Sequence, residues 1–364
     1  MRTPWSWRIG SIAGIPIRVH VTLLLLLGWF AASFWMSGIG PRATAAGLII
    51  LVAVFVIIVA HELSHALMAR RFGVATRDIL LLPIGGIASL ERIPERPGQE
   101  LAIALVGPVV NLVLAAILYA IVAGAGLPTD PANARGVGEA VLSQLIWINV
   151  VLAVFNLLPA FPMDGGRVLR SVLAMWTSRE RATEIATAAG KIIAVGLGAI
   201  GVFTNLWLVV IAFVVWMGAS RERDMVRIRS SLAGVPASEV MSRRAVVVDA
   251  SETAGVAASR MVDSGIGVLP VVEHGRLVGA VTREDIAAAL RTAGPELEVG
   301  EAPRHEVVRV APGTTLDRIL DELSTSPEAI AVVVDGEQAV GLVTPEQLMA
   351  YVALHPAPDR TATV

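Results

Sequence analysis

Long uninterrupted apolar stretches dominate residues 1–220 of the chain. A helix needs about 20 apolar residues to cross a bilayer, because its backbone polar groups must be hydrogen-bonded within the segment. The pattern predicts six such spans, of which the last two are short and joined by a tight turn near Thr204 and Asn205. The predicted spans are 21–36, 44–69, 101–125, 141–158, 185–201 and 206–218.

A shorter apolar run, residues 79–90, lies between the second and third predicted spans and includes Pro83, Gly85 and Gly86. It is too short to cross a bilayer, and Pro and Gly within a strand are typical of sheet edges. We therefore expect a polytopic α-helical membrane protein with six transmembrane helices and a small re-entrant β-strand segment. A loop packed on the helix bundle is the alternative.

The pattern changes after about Ser230, where short valine-rich strands alternate with amphipathic helices, as in a soluble α/β domain. Residues 268–282 align with residues 330–344, and each copy reads as a strand, a turn at a glycine, a second strand and a helix that begins after a threonine. The predicted domains are 1–225 for the membrane domain, 226–234 for a linker, 235–292 and 298–354 for the two repeats, and 355–364 for a flexible tail.

Composition supports the membrane assignment and excludes some chemistry. The 364 residues are 55% hydrophobic and 16% charged, and the mean hydropathy is +0.69, which is unusual for a soluble protein. The chain has no cysteine, so nitrogen and oxygen must ligate any metal. The net charge of −2 comes without a basic stripe, which argues against a nucleic-acid partner.

Arginine placement predicts the orientation in the membrane. Loops on one side hold most of the arginines, whereas the opposite loops hold only Arg42 and Arg135. Positively charged loops face the cytoplasm, so we expect a multi-pass cell-membrane protein with both termini and the C-terminal domain in the cytoplasm. Residues 1–19 show a broken apolar pattern without a small-residue cleavage site, which predicts no cleavable signal peptide.

A candidate metal site lies in the second span. Residues four apart on a helix share one face, so His61 and His65 can bind one ion. Glu62 can hold a zinc-bound water without being a ligand: zinc lowers the pKa of that water to ~7, and the carboxylate takes its proton and later delivers it to a leaving amine. Because ionisable groups inside a membrane are costly, the cluster indicates a functional site for amide hydrolysis.

A catalytic tetrahedral zinc needs three protein ligands, so one more is required. Asp164 is the best candidate, because it follows a helix end interrupted by Pro159 and Pro162. Spans two and four run in the same direction, which brings Asp164 to the depth of the two histidines. The alternative is that Asp164 only caps a helix that begins at Gly165.

The chain resembles the site-two proteases, the zinc intramembrane metalloproteases, over about residues 1–220. The resemblance rests on His-Glu-x-x-His at residues 61–65, Gly-Pro-Val-Val-Asn at 107–111, Asn-x-x-Pro-x-x-x-x-Asp-Gly at 156–165 and the Gly-Gly pair at 85–86. It implies cleavage of a transmembrane helix near the cytoplasmic leaflet of the bilayer. The implied roles are zinc ligation by His61, His65 and Asp164, and general base and acid for Glu62.

Substrate contacts follow from the same resemblance. Asn156 is implied as a hydrogen-bond partner of the substrate backbone or the oxyanion. A strand edge can capture an unwound chain by main-chain hydrogen bonds, which is the role we expect for the segment that contains Gly85 and Gly86. The expected partner is a single-span membrane protein, such as an anti-sigma factor or a similar regulator.

The soluble repeats resemble a tandem CBS domain pair. Residues 279–285 match the Gly-x-x-Thr-x-x-Asp pattern of that family, which implies contacts from Thr282 and Asp285 to an adenosine ribose. The second copy departs from the pattern, because Gln347 stands at the aspartate position. Two interpretations follow: a sensor of adenine nucleotide, or a purely structural or dimerising pair that forms a homodimer.

A CBS-regulated ion transporter or channel is the alternative function, with the same polar cluster along a permeation path. The spans contain no evident inverted repeat, which disfavours it. A catalytically inactive scaffold is disfavoured because Glu62 and the three candidate ligands are all present. Neither His20, expected as an interfacial anchor, nor Lys191, expected to pair with Glu184 or to snorkel, is given a catalytic role.

Overall fold

A computed structural model of the chain describes residues 5–38, 40–83, 85–90, 96–242, 245–326 and 329–355. The chain divides into two compact units, with the boundary between Asp224 and Met225. All but the first residue of the predicted tail, 355–364, lies outside the described residues.

Apolar helices build the first unit. Among the described residues, α2, α3, α4 and α6 are long and apolar enough to cross a membrane, while α1 is a shorter apolar helix. Helix α7 continues through residues 226–232, which were predicted to form a linker. The helices are α1 Val21–Met36, α2 Pro41–Arg71, α3 Pro97–Gly124, α4 Val137–Asn156, α5 Asp164–Leu173, α6 Arg179–Thr204 and α7 Leu206–Leu232.

A four-stranded sheet with the order β1-β2-β3-β4 packs against α2. Strand β2 runs parallel to β3, and the other neighbours are antiparallel. Residues 79–82 and 85–90 therefore belong to two strands, in place of a packed loop. The N-terminal strands were not predicted, although Ile15, Ile17 and Val19 alternate as buried positions along β2. The strands are β1 Ser6–Ile12, β2 Ile15–His20, β3 Thr76–Leu82 and β4 Gly85–Leu90.

The chain between α4 and α5, residues 157–163, is a tight irregular segment. Glycines from three helices lie directly against it, so that the backbones come close. A Cβ at Gly166 would lie 2.7 Å from the Phe161 nitrogen, one at Gly190 would lie 3.3 Å from Ala160 Cα, and one at Gly218 would lie 2.8 Å from the Pro162 nitrogen. This packing fixes where α5 begins.

The second unit contains two similar modules. Each has a three-stranded sheet, with the orders β5-β6-β7 and β10-β9-β8. Each hairpin turns at a left-handed glycine, Gly275 or Gly336, and leads into a helix capped by Thr282 or Thr344. The elements are α8 Ala237–Val240, β5 Val248–Asp249, α9 Ala254–Ser264, β6 Val268–Glu273, β7 Arg276–Thr282, α10 Arg283–Thr292, β8 Val307–Val310, α11 Leu316–Thr325, β9 Ile330–Asp335, β10 Gln338–Val343 and α12 Pro345–Leu354.

Candidate metal centre and active site

His61 and His65 lie one turn apart on α2, and both are buried. Their spacing of four residues places both imidazoles on one helix face, with ring centroids 4.7 Å apart and Nε2 atoms 3.0 Å apart. The two nitrogens thus point at a common position.

Asp164, the first residue of α5, completes the cluster. Its Oδ2 lies 3.1 Å from the Nε2 atom of His61 and 3.1 Å from that of His65, and the residue is buried. Among the described residues, these three form the group of acidic and histidine side chains able to hold a metal ion. Asp164 therefore lies within α5, whereas the alternative prediction was that it only caps this helix.

The donor atoms fit zinc in number, type and spacing. The triangle of two imidazole nitrogens and one carboxylate oxygen has sides of 3.0, 3.1 and 3.1 Å. Donors at the usual distance of about 2.0–2.1 Å from a tetrahedral zinc lie roughly 3.3–3.4 Å from one another. The triangle therefore has nearly the size of one tetrahedral face, which leaves a fourth position for water or substrate.

Helix α3 packs directly against His61 and His65. The backbone carbonyl of Ile103 lies 2.6 Å from His65 Nδ1, so that nitrogen donates and Nε2 keeps its lone pair for a metal. A Cβ at Gly107 would lie 2.6 Å from Cε1 of both His61 and His65, so only glycine permits this approach. The Ile103 contact was not predicted, because a backbone carbonyl has no sequence signature. The signal that could have indicated it is the spacing of Ile103 and Gly107, which are four residues apart and therefore lie on one face of α3.

Glu62 lies beside β4. A Cβ at Gly86 would come within 2.7 Å of Glu62 Cγ and 2.9 Å of Ile58 Cγ2, so the strand crosses α2 at this carboxylate. Gly85 has a φ of 140°, in the region that favours glycine. The structure thus brings the predicted Glu62 and Gly86 together.

The other predicted residues have separate positions. Asn156 is half-buried and is the last residue of α4, before the segment that leads to Asp164. His20 caps α1, accepting a hydrogen bond from the Thr22 amide at 3.3 Å. The Lys191 ammonium lies over the Trp216 ring, 5.0 Å from its centroid.

Thr282 and Asp285 form a capping box at the start of α10. The Asp285 Oδ2 atom accepts from the Thr282 amide at 2.8 Å and lies 3.1 Å from His305 Nε2. Thr344 and Gln347 form the same box at α12, where Gln347 Oε1 accepts from the Thr344 amide at 2.9 Å. The glutamine of the second copy therefore performs the same capping as the aspartate of the first.

The fold and its cluster of two histidines and an aspartate define a multi-pass membrane zinc metalloprotease. Residues 49–134 and 130–197 match peptidase family M50, and residues 237–292 and 299–354 match the CBS domain. The chain belongs to peptidase family M50 and carries a C-terminal pair of CBS domains.

A relative aligned over nearly the whole chain agrees with this assignment. The chain is 30% identical over 351 residues to Zinc metalloprotease MJ0392 of Methanocaldococcus jannaschii, an alignment that covers 96% of this chain and 97% of that one. Among solved structures it is similar to the Site-2 Protease from Methanocaldococcus jannaschii, with 35% identity, a TM-score of 0.45, and coverage of 60% of this chain and 95% of that chain.

Proposed function

We propose that the protein hydrolyses a peptide bond within the transmembrane helix of a substrate protein, with Zn2+ held by His61, His65 and Asp164. The observation that carries the proposal is the buried triangle of donor atoms, with sides of 3.0 to 3.1 Å, built partly on a helix apolar enough to span a membrane. Three donor atoms this close together are suited to bind a single ion tightly, and not to line a permeation path.

Glu62 is the proposed general base and acid. A bound Zn2+ supplies a Lewis acid for the scissile carbonyl and acidifies the attacking water. The Glu62 carboxylate accepts the proton of that water and passes it to the amine nitrogen that leaves. The backbone at Gly86 lies against the Glu62 side chain, where a Cβ would come within 2.7 Å of Cγ, and this contact is proposed to help orient the carboxylate for both transfers.

Strand β4 is the proposed docking edge for the substrate. A helical substrate hides its carbonyls in its own hydrogen bonds, so it must unwind before hydrolysis. Within the described residues β4 pairs with β3 alone, which leaves its other edge for an extended chain. Gly85 and Gly86 lie at the end of this strand that adjoins Glu62. Asn156 is proposed to donate a hydrogen bond to the substrate backbone or oxyanion.

The proposed topology has six spans, with α1 and the first part of α7 added to the four longer helices. Helix α1 has 16 residues and is about 24 Å long, somewhat shorter than a typical hydrocarbon core. The strands next to Glu62 then form a re-entrant segment. The arginine distribution supports cytoplasmic termini and cytoplasmic CBS domains. We retain 1–225, 235–292 and 298–354 as the domain bounds.

The CBS pair is proposed to bind one adenine nucleotide through Thr282 and Asp285 and to form a homodimer. The departure at Gln347 supports one site per pair, because an amide lacks the charge that strengthens a ribose hydroxyl hydrogen bond. The proposed substrate class is a single-span membrane regulator such as an anti-sigma factor.

Zinc content and cleavage test the proposal together. The purified protein is expected to contain one zinc ion and to cut a single-span substrate within its membrane segment. Glu62→Gln is expected to keep the zinc and to lose cleavage, whereas His61→Ala is expected to lose both. Undiminished cleavage by Glu62→Gln with its zinc retained would refute the mechanism.

A further inference from the structure

A buried ionic cluster lies at the cytoplasmic end proposed for the helix bundle. Arg170 of α5 is 2% exposed, and Glu100 of α3 is 6% exposed. Arg170 donates from Nε to Glu100 Oε1 at 2.9 Å, its Nη2 pairs with the same carboxylate oxygen, and its Nη1 pairs with Glu222 of α7. Arg179 of α6 donates to the other oxygen of Glu100 at 3.1 Å. We name Arg170, Glu100 and Glu222, which tie α5 to α3 and α7, the α5 clasp.

The clasp joins three helices, α3, α5 and α7. Together with Arg179, two guanidinium groups face two carboxylates, so the charges balance. Burial alone would lower the pKa of Arg170, but Glu100 and Glu222 outweigh it and raise that pKa above its usual value. The guanidinium therefore stays charged and keeps both partners.

The clasp acts on the helix that carries Asp164. Arg170 lies six residues after Asp164, which puts it about 9 Å further along the axis of α5. Its guanidinium carbon also lies 5.1 Å above the centre of the Phe161 ring, in the segment that leads into Asp164. The Arg170 side chain thus contacts α3, α7 and the segment that precedes Asp164.

A helix as short as α5, Asp164–Leu173, cannot hold itself in place. Isolated helices below about 12–15 residues are marginal, so tertiary contacts must fix its position along and around its axis. A ligand must be held within about 0.5 Å of its productive position. The other two ligands lie on α2, Pro41–Arg71, whereas Asp164 depends on its own short helix.

We propose that Arg170 is a positioning residue of the metal centre, which holds Asp164 at the two histidines by fixing α5 to α3 and α7. This inference rests on the metal-binding function proposed above. The planar fork of arginine is required, because one ammonium on a flexible stem cannot engage Glu100 through two nitrogens and Glu222 through a third.

Metal affinity of the full-length detergent-purified protein tests the inference. Arg170→Lys keeps the charge and loses the fork, and Arg179→Lys makes the same change at the other arginine on Glu100, whose side chain is 37% exposed. Chelator competition is expected to give a zinc affinity about 10–100-fold lower for Arg170→Lys. The visible spectrum of its Co2+ form is expected to change, and Arg179→Lys is expected to match the wild type in both measurements.

Glu222→Gln is the second variant, because Arg170→Lys can fail to fold. The Glu222 side chain is 30% exposed, so Glu222→Gln removes one charge of the clasp with less disturbance of the packing. A lower zinc affinity and an altered Co2+ spectrum are expected for this variant. Wild-type affinity and spectrum in a folded Arg170→Lys protein overturn the inference. Where that protein does not fold, the same result in Glu222→Gln overturns it. An equal loss of affinity in Arg179→Lys also overturns it, because the effect would then not be specific to Arg170.

Two outcomes separate this inference from the proposed function. Zinc that is absent from the wild type, or that survives His65→Ala, overturns both. Zinc that is lost in His65→Ala but bound normally by Arg170→Lys overturns the positioning role alone.

Discussion

The backbone of Gly86 in β4 lies directly against the side chain of Glu62 in α2, where a Cβ would approach Glu62 Cγ to 2.7 Å. Gly86→Ala is therefore expected to displace the carboxylate and to lower the rate of substrate cleavage. A shift of about 1 Å at a reacting group can cost about 10²-fold in rate. Zinc content should stay at the wild-type level, since the ligands lie elsewhere.

The control for this change is Gly98→Ala in the first turn of α3, where a Cβ would have no neighbour within 4 Å. It should cleave like the wild type in a gel-based assay with a single-span substrate. A wild-type cleavage rate in Gly86→Ala would contradict the proposed constraint on Glu62.

Gly107 sets the distance between α3 and the two histidines. Gly107→Ala would place a methyl group 2.6 Å from Cε1 of His61 and His65, so the rings must move and the donor triangle must open. We expect most of the zinc to be lost, as measured by elemental analysis of the purified protein. Gly124→Ala, in the same helix with no neighbour within 4 Å, should keep it. Full zinc occupancy in Gly107→Ala would contradict this prediction, because it would show that the imidazole rings can move aside without loss of the metal.

Local geometry explains which parts of the site could be predicted from the sequence. The pairing of His61 with His65 needs only the period of a helix. Asp164 could be proposed because the direction of the spans sets its depth, but its distance to the histidines depends on packing around residues 157–163. Arg170 and Glu100 are 70 positions apart, so their pairing could be found only from the structure. A charged residue next to an apolar span could have indicated that each has a partner, but not which one.

The N-terminal strands were missed for a related reason. Strand β2 alternates over only six residues, Ile15–His20, which is too short to stand out beside the apolar run of α1. Strand β1 is mostly exposed, including Trp7 and Ile9, so it lacks the buried alternation by which a strand is recognised. Pairing with β2 defines it.

Metal binding should stabilise the folded protein. A ligand that binds only the folded state adds about 2.7 kcal/mol to the free energy of unfolding when present at 100 times its dissociation constant. Zinc added to chelator-treated protein is therefore expected to raise the melting temperature. Glu62→Gln should keep this shift, because Glu62 is not a proposed ligand, and His65→Ala should lose it. An unchanged shift in His65→Ala would place the ion elsewhere.

Asp285 and Gln347 hold equivalent capping positions in the two CBS modules, so a matched pair of variants separates capping from nucleotide binding. Asp285→Ala and Gln347→Ala each remove a side chain that accepts from the amide of the capping threonine, and each is expected to cost about 1 kcal/mol of stability. Only Asp285→Ala should abolish the heat of AMP, ADP or ATP binding in calorimetry of the full-length protein. Equal nucleotide affinities in the two variants would contradict a ribose contact by Asp285, and no heat from any nucleotide with the wild type would support a structural or dimerising pair.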